Sequence, residues 1–254
     1  LTSAKRAVEE VDVRENVFFQ GENRMIGEVF QIVYQIIGPR LKGRDLKDFG
    51  LKKKNIVDIE RQTHPIHDIL AAVNRYLRIP LPVIYRSKQA TGIRIADTNP
   101  PALVLGEDLY QGGKSSQELA YMIGKYASYF HPLHRLAALY PDPLRLKVLY
   151  LAAEYFCAPE SYKGVRSESV DAAAKELAQN ANPSAKRQLT QALMQARTTA
   201  GGKDPNIDRW MAALEYSAMN VGFMACNDIE VAAGLERDPT MSMTSLTHQD
   251  KVRS

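Results

Sequence analysis

The 254-residue sequence predicts an α+β fold in which a small sheet of three or four strands sits within a mainly helical body. Three observations carry that expectation. Alternating and β-branched residues are confined to one window, Leu81 to Leu105, which is punctuated by Ser, Gly, Asn and Pro. Outside it, apolar residues recur at helical spacing on both sides. No fixed internal period runs through the chain, which argues against a repeat array.

The elements follow in order. Met25 to Ile37 places Ile26, Val29, Phe30, Val33, Ile36 and Ile37 on one helical face and stops at Gly38-Pro39. His64 to Leu77 is a second helix, with Thr63 or His64 as its cap and Pro65 in the first turn, where a missing N–H goes unused anyway. Strands are expected at Leu81 to Tyr85, Gly92 to Ala96 and Ala102 to Leu105. Helix then dominates: Ser115 to Phe130, Pro132 to Leu139, Pro143 to Cys157, Ser169 to Gln179, Pro183 to Thr198, Ile207 to Cys226 and a short Asp228 to Gly234. Asp238 to Ser254 is polar and unpatterned and reads as a flexible tail. One domain over 23–235 is expected, between an N-terminal extension at 1–22 and a tail at 236–254.

Composition suits a compact domain: 45% of residues are hydrophobic and 24% charged, enough to bury a substantial core. The first residue is Leu, which suggests a fragment or processed product. Cys157 and Cys226 both lie in apolar helical contexts, where a free thiol acts as a small hydrophobe. Two cysteines alone do not establish a disulfide. The longest apolar candidate, Met25 to Gly38, is interrupted by Glu28, Gln31 and Gln35 and falls short of the roughly 18 residues a membrane span requires. A cytoplasmic protein without a membrane span is expected. Net charge is +4, and Arg40 to Lys54 concentrates seven Lys or Arg against two Asp. No aromatic-interleaved pattern follows it, so the stretch reads as a solvated basic face and nucleic acid is not the expected partner.

Familiar catalytic templates do not fit. His64 and His67, and again His131 and His134, have HxxH spacing, which on a helix brings two imidazoles to one face. Each pair has Pro directly after its first His, so that His reads as a cap and the pair straddles a turn. His248 falls in the tail. Ser115, Ser116 and Ser128 lack a Gly-x-Ser-x-Gly elbow. Gly112-Gly113-Lys114-Ser115 lacks the first glycine of a phosphate loop and reads as a turn with Ser115 or Ser116 capping the next helix. No cofactor and no metal is expected.

The strand-like run PPALVLGEDLY (Pro100 to Tyr110), a Gly-Gly loop and the helix SSQELAYMIGKYASYF (Ser115 to Phe130) form the setting in which HExxH zinc peptidases place their metal-binding helix. His64 to Phe130 resembles the start of the family that includes the bacterial heat-shock membrane protease and the prenyl-protein protease. Leu77-Arg78-Ile79-Pro80 matches its Leu-Gly-Leu-Pro-like turn, and the strands carrying Pro-Val-Tyr-like and Pro-Pro-Ala-Val-Val-like sequences are recognisable. Trp210 to Gly234 is similar to the family's Glu-x-x-Ala-Asp helix. A zincin-like fold is what the resemblance implies, and it covers about two thirds of the chain through order and spacing, with no single specific motif. It extends to the degenerate peptidase-like domains found beside tetratricopeptide repeats in large bacterial proteins.

Aligning Glu118-Leu119 with the family's Glu-Leu puts Gly124, Lys125, Tyr126, Ala127 and Ser128 on the five HExxH positions. Glu215 then stands at the third-ligand position, and Met219 where the family has Asp. Gly offers no ligand and Ser a poor one. A Lys repels zinc instead of taking a proton from its water. The resemblance thus implies a pseudoenzyme that has lost its zinc site and serves protein interaction or scaffolding. The competing reading is a hydrolase with a repurposed metal centre built from Glu215 and an HxxH pair. Tyr110, Tyr121, Tyr126, Tyr129 and Tyr216 cluster on or near the two helices and read either as a binding surface for a protein partner or as core. The alignment makes Lys125 and Glu215 face one another, as an ion pair or with Lys125 reaching solvent while Ser128 or Tyr126 hydrogen-bonds Glu215.

Overall fold

The computed structural model describes residues 17–59, 61, 64–77, 82–203, 205–238 and 241. Helix α1 (Arg24–Ile37) buries the apolar face read from its sequence, and Asn23 caps it by accepting the N–H of Met25. Residues 38–55 then run through short 3-10 turns. Helix α2 spans Pro65–Leu77. His64 stands at its start as expected, its Nδ1 accepting the N–H of Ile66 at 3.2 Å. Thr63, the alternative cap, lies outside the described residues.

Strands β1 (Ile84–Ser87), β2 (Ile93–Ala96) and β3 (Ala102–Gly106) form a three-stranded sheet in the order β1–β3–β2. β3 pairs parallel with β1 and antiparallel with β2. Every residue of β3 is buried because both faces of the sheet are covered. Leu103 and Leu105 pack with Ile66, Leu70 and Ile123 on one side, and Ala102 and Val104 with Leu46, Phe49 and Leu51 on the other. The basic stretch is therefore a folded cover strip, its apolar residues turned to the sheet and Lys52, Lys53 and Lys54 exposed. β1 begins at Ile84 and reaches Ser87, a shift from the expected Leu81 to Tyr85; Leu81 itself lies outside the described residues. Of the fourth strand that was left open, the described residues form only a single bridge, Ile56 to Tyr85.

Seven helices complete the fold: α3 (Ser116–Ser128), α4 (Arg135–Leu139), α5 (Pro143–Cys157), α6 (Glu168–Asn180), α7 (Pro183–Thr199), α8 (Ile207–Cys226) and α9 (Ile229–Leu235). Ser115, Asp142, Ser167, Asn182, Asn206 and Asp228 each accept a first-turn N–H, which places the boundaries within a residue or two of expectation. Helix α4 starts later than Pro132 because His131 to His134 form turns, with His134 and Arg135 both donating to the His131 carbonyl. Gly112 and Gly113 have φ of 86° and 92°, a left-handed region that side chains resist, so this turn needs glycine.

The described residues at the two margins of the expected domain are packed. Val17 and Met241 are buried, as are the carboxylates of Glu22 and Glu236. Residues 17–22, 236–238 and 241 thus pack at the margins of the 23–235 domain; the remainder of the expected extension and tail lies outside the described residues. Their partners lie more than a hundred residues away in sequence, where no local pattern points to them. No helix among the described residues is long and apolar enough to cross a membrane.

Helices α3 and α8 join two cores. Tyr129, Trp210, Leu214 and Ala218 belong to the helical core built with α1 and α5, whereas Leu119, Ile123 and Val221 belong to the core that backs the sheet. Phe30 and Trp210 meet at 5.1 Å between ring centroids in the first of these.

Candidate functional site

The two helices implicated by sequence pack directly on one another, and glycine sets how closely. A Cβ on Gly124 would lie 2.8 Å from the Ala225 Cβ and 3.1 Å from the Val221 carbonyl oxygen. On Gly222 it would lie 2.9 Å from the Tyr121 carbonyl oxygen. These separations are shorter than carbon contacts allow, so the position aligned with the first zinc-binding histidine is a backbone crossing with no space for a ring.

Next to the crossing lies a closed charge cluster. Lys125 and Glu215 are 0% exposed and Glu236 is 5% exposed. The Lys125 Nζ is 2.8 Å from Glu215 Oε1 and 2.5 Å from Glu236 Oε1. Tyr129 donates its hydroxyl to Glu215 Oε2 at 2.8 Å, and Tyr121 donates to Glu236 Oε1 at 2.7 Å. Burial, followed by the charge of the neighbouring carboxylate, pushes both phenols well above the ordinary tyrosine range, so both stay neutral donors. One cation, two carboxylates and two hydroxyls thus form one buried set, Glu215 Oε1 meeting Lys125 as an ion pair without hydrogen-bond geometry. The ion pair is formed, and the alternative in which Lys125 reaches solvent does not hold.

The remaining sequence candidates fall elsewhere. Ser128 is buried and donates to the Lys125 carbonyl at 2.7 Å, closing the helix end instead of bonding Glu215. Met219 is half-buried. Tyr121, Tyr126 and Tyr129 are interior, which removes three of the five rings from any binding surface: Tyr121 and Tyr126 pack in the core that backs the sheet and Tyr129 in the helical core. Tyr110 and Tyr216 are half-buried and sit apart, Tyr110 against His64 and the Arg86 guanidinium, Tyr216 against Phe19. Burial, only partly opposed by the Arg86 charge, pushes the Tyr110 hydroxyl up to about 12.

Neither histidine pair presents an open ligand face. His67 Nε2 lies 3.3 Å from the Tyr110 hydroxyl. His131 Nδ1 accepts from the Leu133 N–H at 3.3 Å, the turn role expected of it. His134 is enclosed, with Nδ1 3.2 Å from the Ser128 carbonyl and Nε2 2.9 Å from Glu22 Oε1, while the Ser217 hydroxyl donates to the other Glu22 oxygen. Among the described residues no group of three or more His, Cys, Asp or Glu side chains could hold a metal ion.

Glu22 supplies a pH-dependent contribution. Its burial favours the neutral acid, but the charge and hydrogen bond of His134, with the Ser217 hydroxyl, outweigh that and hold the carboxyl below its usual range. A carboxylate lowered in the folded state stabilises above its unfolded pKa and loses that contribution as pH falls through the folded value. Wild-type stability should therefore decline as pH drops below about 4.3, the ordinary glutamate value. Glu22→Gln should be less stable at neutral pH and lose less on acidification. Urea unfolding at pH 7, 5 and 3.5 measures both; parallel curves for the two proteins would refute the assignment.

Glu236, Glu22 and Ser217 are the site residues that sequence reading missed. Glu236 follows a short helix and Glu22 precedes α1, and neither falls in a motif. A cavity of about 230 Å³ remains beside the cluster, between Gly92 to Arg94, Met122 and Tyr126, and is walled on its far side by Leu235, Asp238 and Met241. Comparison with protein-family models, with curated proteins and with solved structures yields no match to this chain.

Proposed function

We propose that this chain is a zincin-like domain that has lost its zinc site and acts in protein interaction or scaffolding, of the kind found beside tetratricopeptide repeats in large bacterial proteins. The observation that carries this is the closed Lys125–Glu215–Glu236 cluster. At the place aligned with a metal, an ammonium neutralises the remaining carboxylate, and a second carboxylate, from the segment after α9, completes the set. A group sealed from solvent has no path to substrate, and its lysine occupies the position a general base would need. The sheet-then-helix order and the packing of α3 on the helix bearing Glu215 agree with the resemblance. The hydrolase alternative gains nothing from the geometry, since Glu215 is bound to Lys125 and Tyr129 while the histidines of both pairs have other partners.

Metal analysis of the purified protein, paired with digestion of an unfolded protein substrate, tests the reading. The expected results are zinc far below one equivalent per chain and no chelator-sensitive cleavage. One equivalent of zinc that disappears in Glu215→Gln, together with cleavage blocked by chelator, would overturn it.

A further inference from the structure

On a different face of the molecule, a groove of about 440 Å³ runs between α1 and α7 and is closed at one side by the turn at His131 to Leu133. Its lining is unusual in kind. The chain has twelve glutamines, and five of them line this groove: Gln31 and Gln35 from α1, and Gln188, Gln191 and Gln195 from α7. Their spacings, i to i+4 on one helix and i, i+3, i+7 on the other, set each group on one helical face, so two carboxamide rows border the same channel. None of the five carboxamides is engaged by another described residue. The only charged side chains in the lining are Arg24 and Glu28, which neutralise each other at 3.7 Å.

We infer that this groove binds an uncharged peptide segment in extended conformation, held through its main chain. The inference rests on the protein-interaction reading above and gives it a location. A carboxamide is the side chain that both donates and accepts, as a peptide unit does, and two rows of them can pair with the alternating N–H and C=O groups of one strand. The repeat fits: residues four apart on a helix are about 6 Å apart along its axis, close to the roughly 6.6 Å between equivalent residues of an extended chain. The neutral wall gives charged ligands no counter-ion. Ile32, Leu133 and Ala192 provide an apolar floor for small side chains. No Phe, Tyr or Trp ring lines the groove, whereas saccharide recognition would be expected to use one as a stacking platform.

The test is selection from a displayed library of random uncharged dodecapeptides on the intact protein, with the selected peptides remade synthetically for titration. Binding should weaken at least tenfold in Gln35→Ala/Gln191→Ala and vanish when alternate peptide nitrogens are methylated, which removes donors without altering side chains. Gln35 and Gln191 are both exposed, so the double variant keeps the fold, and circular dichroism verifies it. Selected peptides that bind equally well to the double variant would overturn the groove assignment while leaving the interaction reading standing. An empty selection would overturn both the groove assignment and its premise. Binding to a glycan array that is lost in the double variant would replace the peptide with a saccharide.

Discussion

Lys125→Met should lower folding stability by about 3–5 kcal/mol, the range for removing one partner from a buried charge set. The variant keeps the length of the side chain and deletes the ammonium that stands 2.8 Å and 2.5 Å from two carboxylates. Glu215 and Glu236 would then lie near each other in a buried interior, with the Tyr129 and Tyr121 hydroxyls as donors but no cation between them. At least one of them must take up a proton, or the segment carrying Glu236 must detach. Glu215→Gln should cost less than Lys125→Met: it leaves Lys125 paired with Glu236, and the amide oxygen still accepts from Tyr129. The triple change Lys125→Met/Glu215→Gln/Glu236→Gln should recover most of the loss, because no charge is left buried. Urea denaturation of the four proteins measures these differences. A triple variant as unstable as Lys125→Met alone would show that volume and shape, and not charge, decide the effect.

Gly124→His should abolish cooperative folding, and even Gly124→Ala should cost about 1–3 kcal/mol, the range for overfilling a packed interior. Alanine is favoured over glycine in a helix by about 1 kcal/mol, so the sign of the result separates crowding from propensity. Crowding should win because the added carbon meets a methyl and a backbone carbonyl, neither of which can swing away. It follows that Gly124→His/Lys125→Glu/Ser128→His, which rewrites the HExxH signature, should give an unfolded or aggregated product with no stoichiometric zinc. A Gly124→Ala protein with a higher urea midpoint than wild type would contradict the crossing geometry.

The helices were legible in the sequence because their signals are local. Asn23, Ser115, Asp142, Asn182 and Asn206 announce starts through their own side chains, and Pro143 and Pro183 pin the first turns. The limits of β2 and β3 were legible too, since Ile93 to Ala96 and Ala102 to Leu105 carry the residues that strands favour, whereas β1 was read three residues too early at its start. The order β1–β3–β2 was not, because insertion of β3 between its predecessors depends on which edges the helices leave uncovered. At the site, the Lys125–Glu215 pairing was reachable only through an alignment of two helices. Glu236 was out of reach: a lone glutamate after a seven-residue helix looks like any solvated residue, and its partner is 111 positions away. The five-tyrosine reading failed for a related reason, since residue type does not tell whether a ring on a helix faces core or water.

Two of the buried carboxylates sit near opposite ends of the described fold, Glu22 before α1 and Glu236 after α9, and both anchor in or beside the same α3–α8 pair. Considered mechanically, tension applied to the chain through residues 17 and 241 loads the buried Val17 and Met241 together with those anchors. An apolar contact yields gradually as surfaces slide, but a desolvated ion pair gives way over a short displacement and then admits water. A pull on either margin would therefore meet a mixed anchor, in which apolar contacts yield gradually and an ion pair gives way abruptly.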